Sequence, residues 1–381
     1  MTEMDLNKIH RTYAEISLGA ISKNGLIAKE TFKDQRILFV MKANAYGHGI
    51  EEIMPAAEVF ADEYAVATVE EGLAVRGGTD KPILLFGPVP EGKMVLAARQ
   101  GLSFTVGDPD YAKRLSEALK KEGLSCECQL KIDTGLNRSG LRFWGGEEGE
   151  KALLSIFSHD NLSFRGTYTH FATGEGEDGW ERDFTTLQYE RFAKAIAKMK
   201  KLGLPTGICH CTSTGGSLVR PEYRMDMVRL GMLPLGMSYT NESVKSLGLS
   251  TVMNWRSFVA QIKDLRCGDA VSYGCTFRAT KDMKIGLVTC GYADGYRRAY
   301  SGKASALVNG QRVRVLGRIA MDYMMIDLTD VKDAEVGTCV TLLGTDGDEW
   351  ISAQEISAWG ESVSGEVTAA ISARVPRIYI S

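Results

Sequence analysis

No run of apolar residues in this 381-residue chain approaches the roughly 20 that a membrane-spanning helix needs, and Met1–Ile16 is polar with acids at Glu3 and Asp5. Neither a membrane span nor a secretory leader is expected. Charge of one sign is equally scarce, since 45 Lys+Arg stand against 48 Asp+Glu for a formal net charge of −3. Without a basic excess to neutralise a phosphate backbone, nucleic acid is not an expected partner. Proline numbers 9, and no repeat or low-complexity linker interrupts the chain, which excludes fibrous and disordered classes. Metal-ligand spacing is missing too. The 8 cysteines are scattered, and the close sets Cys126-x-Cys128 and Cys209-His210-Cys211 place thiols two apart on one strand face, not in a C-x(2–4)-C zinc loop. Reduced, buried thiols in a cytoplasmic protein are the expectation, with no metal site.

The length suggests two domains. Short apolar runs alternate with amphipathic segments between residues 36 and about 236, the signature of βα units feeding a parallel sheet. Candidate strands are Ile37–Met41, Tyr64–Val69, Pro82–Phe86, Ser103–Val106, Cys126–Ile132, Phe164–Thr169, Gly207–Cys211 and Leu230–Leu235. Helix-like spacing lies between them at 51–61, 70–77, 92–100, 110–122, 147–157, 184–202 and 215–220. This predicts a TIM-type (β/α)8 barrel over residues 1–240. Beyond it the pattern turns to strands and turn signals, including the Asn309-Gly310 hairpin dipeptide, so residues 241–381 read as a mostly-β domain against which the first residues of the chain are expected to pack.

Active sites of such barrels sit at the C-terminal ends of the strands. The first run leads into Lys42-Ala43-Asn44-Ala45-Tyr46-Gly47-His48, the fifth into Lys131 and the loop to Arg138, the sixth into His170, and the seventh into Ser213; Arg229 and Gly231 flank the eighth. A lysine at a semi-enclosed mouth can lose its proton and form a Schiff base, and a serine hydroxyl with glycine amides suits a phosphate. Together they suggest pyridoxal phosphate. Lys42 as a surface lysine, Arg138 as a solvated loop charge and His170 as a core histidine remain open on spacing alone.

Met41-Lys42-Ala43-Asn44-Ala45-Tyr46-Gly47-His48-Gly49 resembles the cofactor-lysine motif of the alanine racemase family, barrel-type (fold type III) pyridoxal phosphate enzymes. Further blocks follow in family order: Lys131-Ile132-Asp133-Thr134-Gly135, Gly166–Ala172, Asp226–Gly231, Val271–Gly274, Gly291–Gly295, Gly317–Asp322 and Arg374–Arg377. The resemblance covers essentially the whole chain. It implies an amino-acid racemase, L-alanine to D-alanine for cell-wall peptidoglycan, working as a homodimer whose active sites take residues from both chains.

Carried over by position, Lys42 resembles the Schiff-base lysine and one base, and Tyr273 the opposite-face base supplied by the partner chain. His170 and Arg229 resemble the polar chain that stabilises an ionised Tyr273, with Arg229 meeting the pyridine nitrogen. Tyr46, Ser213, Gly231 and Met232 match phosphate ligands. Arg138 and Met321, with Asp322 beside it, match contacts to the cofactor's O3′ side and the substrate. Lys131 matches a lysine often carbamylated in the family. Glu175, Tyr292, Arg298, Arg318 and Ile371 match the substrate entryway, as does Ala373, where alanine-specific members generally carry tyrosine. That last departure enlarges the pocket and keeps a serine racemase, or one of broader specificity, as the alternative. A fold-related decarboxylase would set an acid, not Arg229, at the pyridine nitrogen, and a non-catalytic pyridoxal-phosphate-binding barrel would lack residues 241–381 and Tyr273.

Overall fold

Short apolar runs bounded by turn signals become strands because their side chains have helices to cover them on one side and a barrel interior on the other. In the computed structural model, which describes residues 10–143, 146–238 and 241–381, the chain begins with β1 (Thr12–Ser17) and a helix, Leu18–Thr31. Eight parallel strands follow: β2 (Arg36–Val40), β3 (Glu63–Val66), β4 (Ile83–Leu85), β5 (Leu102–Val106), β6 (Cys126–Lys131), β7 (Leu162–Tyr168), β8 (Ile208–His210) and β9 (Met227–Leu230). They lie in the order β8-β7-β6-β5-β4-β3-β2-β9. The seam between β8 and β9 closes through Asp226 N–H to Cys209 O (3.0 Å) and Arg229 N–H to Thr212 O (3.3 Å). Side chains reinforce it: Cys209 N–H donates to Asp226 Oδ2 (2.7 Å) and Arg229 Nη2 to Cys211 O (2.9 Å). The TIM-type barrel is thus present.

The second sheet is mostly antiparallel. After β10 (Met253–Leu265) come β11 (Ala270–Val271), β12 (Phe277–Arg278), β13 (Met283–Val288), β14 (Ser305–Val308), β15 (Gln311–Leu316), β16 (Met324–Asp327), β17 (Cys339–Asp346), β18 (Glu349–Ile351) and β19 (Arg377–Ile380). Nine strands join as β18-β17-β14-β15-β16-β13-β10-β1-β19, while β11 and β12 pair alone. Asn309 (φ 51°) and Gly310 (φ 72°) make the turn between β14 and β15 with the left-handed backbone that such a hairpin needs. Buried Trp255 donates its Nε1–H to Thr12 Oγ1 (2.8 Å), and Tyr13 stacks on Phe258 at 5.9 Å.

The chain divides into two compact units, one of Gly25–Ala45 with Ile50–Pro234, the other of Met1–Asn24, Tyr46–Gly49 and Leu235–Ser381. Residues 1–9 and the junction residues Tyr239 and Thr240 lie outside the described residues, as do Trp144 and Gly145. The eighth barrel strand sits earlier than its apolar run suggests. Leu230–Leu235 is mostly apolar, but the strand is Met227–Leu230 and Leu233–Leu235 is a 3-10 turn, since Gly231 and Pro234 interrupt the run and proline has no N–H to give a ladder. Arg229 is therefore inside a strand. β1 and the Leu18–Thr31 helix escape the pattern reading: β1 gets its identity from pairing with β10 and β19, contacts invisible locally. None of the eight cysteines forms a disulfide; five are buried, while Cys267 and Cys275 are exposed and Cys339 is half-buried. Among the described residues no helix is long and apolar enough to cross a membrane, and no cluster could hold a metal ion.

Candidate active site

β2 ends at Val40, Met41 N–H still reaches Ala65 O (2.8 Å), and the chain then winds the wrong way. Ala43, Asn44, Ala45 and Tyr46 have φ of 54°, 53°, 53° and 53°, so the turn Lys42–Gly47 is left-handed. Such a conformation costs L-residues about 1–2 kcal/mol each, so the turn must be held. Ala45 N–H donates to Met41 O (2.8 Å), Ala43 N–H to Glu71 Oε1 (2.6 Å) and Ile50 N–H to Asn44 Oδ1 (2.9 Å). Gly47 (φ 83°) completes the turn where a Cβ would stand 2.3 Å from Thr368 O. The Lys42 side chain emerges from this turn at the barrel mouth. Partial desolvation and then Arg138 lower its pKa, with Glu71 opposing them. Burial pushes the Tyr46 phenol up to about 12.

Beside it lies a chain of buried polar groups centred on Arg229. Its Nη1 donates to His210 Nδ1 and its Nη2 to His170 Nδ1, both at 3.0 Å. A guanidinium can only donate, so both Nδ1 atoms are unprotonated and each neutral ring carries its hydrogen on Nε2. His210 then donates Nε2–H to Gln129 Oε1 (2.7 Å). Burial, followed by Arg229, drives both histidine pKa values well below 6.5. Tyr168 lies stacked on His210 (4.9 Å, 4°) beneath the guanidinium (5.6 Å), its hydroxyl bonded to Thr105 Oγ1 (2.9 Å). Desolvation lowers Arg229 itself to about 10, which leaves it charged at neutral pH.

Lys131, buried at the end of β6, donates Nζ–H to Ser139 Oγ (2.7 Å) and lies 5.7 Å over the Tyr168 ring. Burial, then Arg138 and Arg229, bring its pKa down to about 8 against Asp133. Arg138 is exposed on the following loop. Ser213 Oγ donates to Glu175 Oε1 (3.1 Å), and Gly231 N–H to Thr214 Oγ1 (3.2 Å), with Met232 next in the chain. A Cβ at Gly215 would meet the Glu175 side chain at 2.2 Å, so glycine here lets Glu175 lie directly against the backbone beside Ser213.

The remaining expected residues lie in the β-rich unit. Tyr273 opens a 3-10 turn with 67% of its surface exposed. Before it, Ser272 (φ 61°) is anchored by its hydroxyl to Arg318 O (2.5 Å). Tyr292, Arg298, Met321 and Ala373 are exposed, Arg318 is half-buried and Ile371 is buried. Asp322 Oδ1 is taken by Arg374 Nη2 (2.8 Å) and Arg11 Nη1 (3.4 Å), and the same two arginines reach the buried carboxylate of Asp294, each at 3.0 Å. The barrel unit thus joins Lys42, Lys131, Arg138, His170 and Arg229 in one electrostatic set. It adds Glu71, Gln129, Tyr168 and His210, which sequence reasoning missed. His210 carried a signal, a histidine at a strand's end, but its cysteine neighbours directed attention to metal binding.

Residues 16–238 match the family model "Alanine racemase, N-terminal domain" and residues 252–379 the model "Alanine racemase, C-terminal domain". The chain belongs to the alanine racemase family. An alanine racemase of Symbiobacterium thermophilum is 35% identical over 99% of each chain, and one of Methanococcus maripaludis is 34% identical over 97% of this chain and 99% of its own. Among solved structures, the alanine racemase of Bacillus anthracis with bound L-Ala-P aligns with a TM-score of 0.87 at 33% identity, covering 98% of this chain and 95% of that one. That of the D-cycloserine producer Streptomyces lavendulae aligns at 0.90 with 30% identity, over 97% of both. Enzymes of this family are racemases dependent on pyridoxal phosphate. Each of these relatives bears the name alanine racemase, so the serine alternative finds no support among them.

Proposed function

We propose that the protein interconverts L- and D-alanine with pyridoxal phosphate, using Lys42 and the partner subunit's Tyr273 as bases on opposite faces of the substrate Cα. The observation that carries this reading is that Lys42, at the end of β2, and a buried, charged Arg229 both bear on His170, while Arg229 locks His170 and His210 as neutral rings. The residues present fit the cofactor. The Ser213 hydroxyl donates to an anionic oxygen, that of Glu175, as it would to a phosphate oxygen, and Gly215 beside it lets an acceptor group approach the backbone closely. Lys42 would hold the cofactor covalently through Nζ, Ser213, Tyr46 and the Gly231–Met232 backbone its phosphate, and Arg138 its O3′ side. When bound, pyridoxal phosphate acidifies the substrate α-hydrogen by withdrawing electrons.

The protein groups then direct the reaction. Lys42, its pKa lowered by burial and Arg138, takes or returns the proton on one face; Tyr273 does so on the other. His170, confined to its Nε2–H tautomer, can donate only from that nitrogen, which suits it to stabilise a phenolate. Arg229, a buried cation, would disfavour protonation of the cofactor's ring, which would suit simple proton transfer and oppose decarboxylase chemistry. Lys131, at a pKa of about 8, has enough neutral amine to take up carbon dioxide, and as a carbamate it would orient Arg138. Met321 serves the substrate, and Asp322, tied to Arg11 and Arg374, steadies the Met321 backbone. Glu175, Tyr292, Arg298, Arg318, Ile371 and Ala373 line the way in. We place the protein in the cytoplasm as a homodimer.

Turnover of L-alanine and L-serine, assayed side by side with detection of the D-isomers, tests the reading. D-Alanine formation that is lost in Lys42→Ala is expected; no D-alanine from the cofactor-loaded protein overturns it.

A further inference from the structure

The carboxylate of Glu71 serves two elements at once. Its helix, Val69–Arg76, opens with a capping box in which Thr68 Oγ1 accepts from Glu71 N–H (3.2 Å) while Glu71 Oε2 accepts from Thr68 N–H (3.2 Å) and Ala67 N–H (2.9 Å). A capping box needs only that oxygen. The other, Oε1, is turned toward the end of the neighbouring strand β2, where it accepts the N–H of Ala43 at 2.6 Å, a short charge-assisted bond. Ala43 directly follows Lys42 and is the first of the turn's four consecutive non-glycine residues with φ of 53–54°. The turn's own bond, Ala45 N–H to Met41 O, leaves the Ala43 amide unserved, and the carboxylate meets that need. It also sets a negative charge beside the Lys42 ammonium. The charged groups bearing on Lys42 are Arg138 and Glu71, of opposite sign, while His170 beside them is neutral.

We propose that Glu71 is a positioning residue for Lys42: one carboxylate oxygen anchors the helix start while the other clamps the first amide of the left-handed turn that aims the lysine into the barrel mouth. The inference rests on Lys42 being the lysine that captures the cofactor. Through this clamp, the first βα unit's lysine loop and the second unit's helix become one rigid piece, and the charge of Glu71 offsets that of Arg138 on the amine.

The test uses the full-length protein stripped of cofactor, with pyridoxal phosphate as the probe, and reads capture rate against pH and the Kd. In Glu71→Gln the negative charge is gone and Arg138 acts unopposed, so the midpoint of the rate profile moves to lower pH by about half a unit or more, and Kd rises. Glu71→Asp keeps the charge but not the reach, so its midpoint stays while Kd rises about tenfold. Thr68→Ala removes the other half of the capping box and lowers Tm, with neither midpoint nor Kd changed. An unaltered midpoint and Kd in Glu71→Gln overturn the proposal, as does Thr68→Ala reproducing both shifts. If Glu71→Gln does not fold, the contrast in Kd between Glu71→Asp and Thr68→Ala decides: a rise in the former alone supports the clamp, and equal values overturn it. Capture persisting in Lys42→Ala would overturn the choice of lysine itself. Capture lost in Lys42→Ala but unchanged in Glu71→Gln overturns the inference and leaves that choice standing.

Discussion

Arg229 donates from Nη1 to His210 Nδ1 at 3.0 Å, and that single bond sets the ring's tautomer and hence its donation to Gln129 on the far side. The same residue treats His170 identically through Nη2. A buried cation with two neutral acceptors fixes where protons sit without an acid to balance it.

Stability should therefore fall on mild acidification. The folded-state pKa values of His170 and His210 are depressed, while in the unfolded chain both titrate near 6.5, so the unfolded state binds these protons first. Stability is full above about pH 6.5 and is lost as pH falls from there toward the folded-state values, by up to about 1.4 kcal/mol per histidine between pH 7.5 and 5.5. Urea unfolding at those two pH values measures it, and equal unfolding free energies would refute the assignment of both rings as neutral.

Replacing His210 with Phe removes an acceptor from Arg229 and a donor from Gln129 while keeping a flat ring on Tyr168. Two buried polar groups lose a partner each, so a destabilisation of about 2–4 kcal/mol is expected from urea midpoints. A cost below about 0.5 kcal/mol would show that the pair relaxes onto other partners.

Tyr273→Phe should slow α-deuterium loss from L-alanine far more than from D-alanine, because the base on the other face remains. Mixing Lys42→Ala with Tyr273→Phe subunits should recover part of the racemase activity, since in the proposed dimer one of the two shared sites would regain both bases. Equal losses from the two isomers, or no recovery despite proven subunit exchange, contradict the assignment.

In the β-rich unit, Asp294 is buried to 1% side-chain exposure between Arg11 and Arg374. Its carboxylate also accepts Gly291 N–H (2.9 Å), and its backbone oxygen takes Ser372 N–H (3.0 Å). Asp294→Ala should cost about 1–3 kcal/mol, chiefly by leaving the buried Gly291 amide without its acceptor, while the part-exposed Arg11 and Arg374 keep Asp322. Arg11→Ala should cost less, because Arg374 remains. Thermal unfolding of the two variants ranks them, and the reverse order would place the weight of the cluster on Arg11.

The barrel was legible because its strands are short apolar runs separated by helices, two of them started by a side-chain cap: Thr68 and Asp108 bond to the third residue of the helix each precedes, and Glu147–Phe157 matches its predicted span. The barrel residues proposed to hold the cofactor were legible as polar positions at strand ends. What escaped detection depends on distant partners. β1 is a strand only because β10 and β19 flank it. Gln129 looks like any polar residue in an apolar strand until His210 is placed opposite it. Glu71 reads fully as a capping-box residue, and nothing local reveals that its second oxygen serves another strand's end. The left-handed turn is least legible of all, since Ala-Asn-Ala-Tyr has one residue that tolerates such φ values.

The barrel is stitched unevenly around its circumference. β6 and β7 share six residue pairs, whereas β8 and β9 meet through two backbone bonds laced by the side chains of Asp226 and Arg229. Ser213 follows one edge of this seam and Gly231 the other. A ligand gripping both would act as a rivet across the weakest line of the cylinder, so hydrogen exchange at the Asp226 and Arg229 amides should slow on cofactor binding more than exchange within the β6–β7 ladder. Circumferential integrity and cofactor retention would then be a single mechanical property of the barrel.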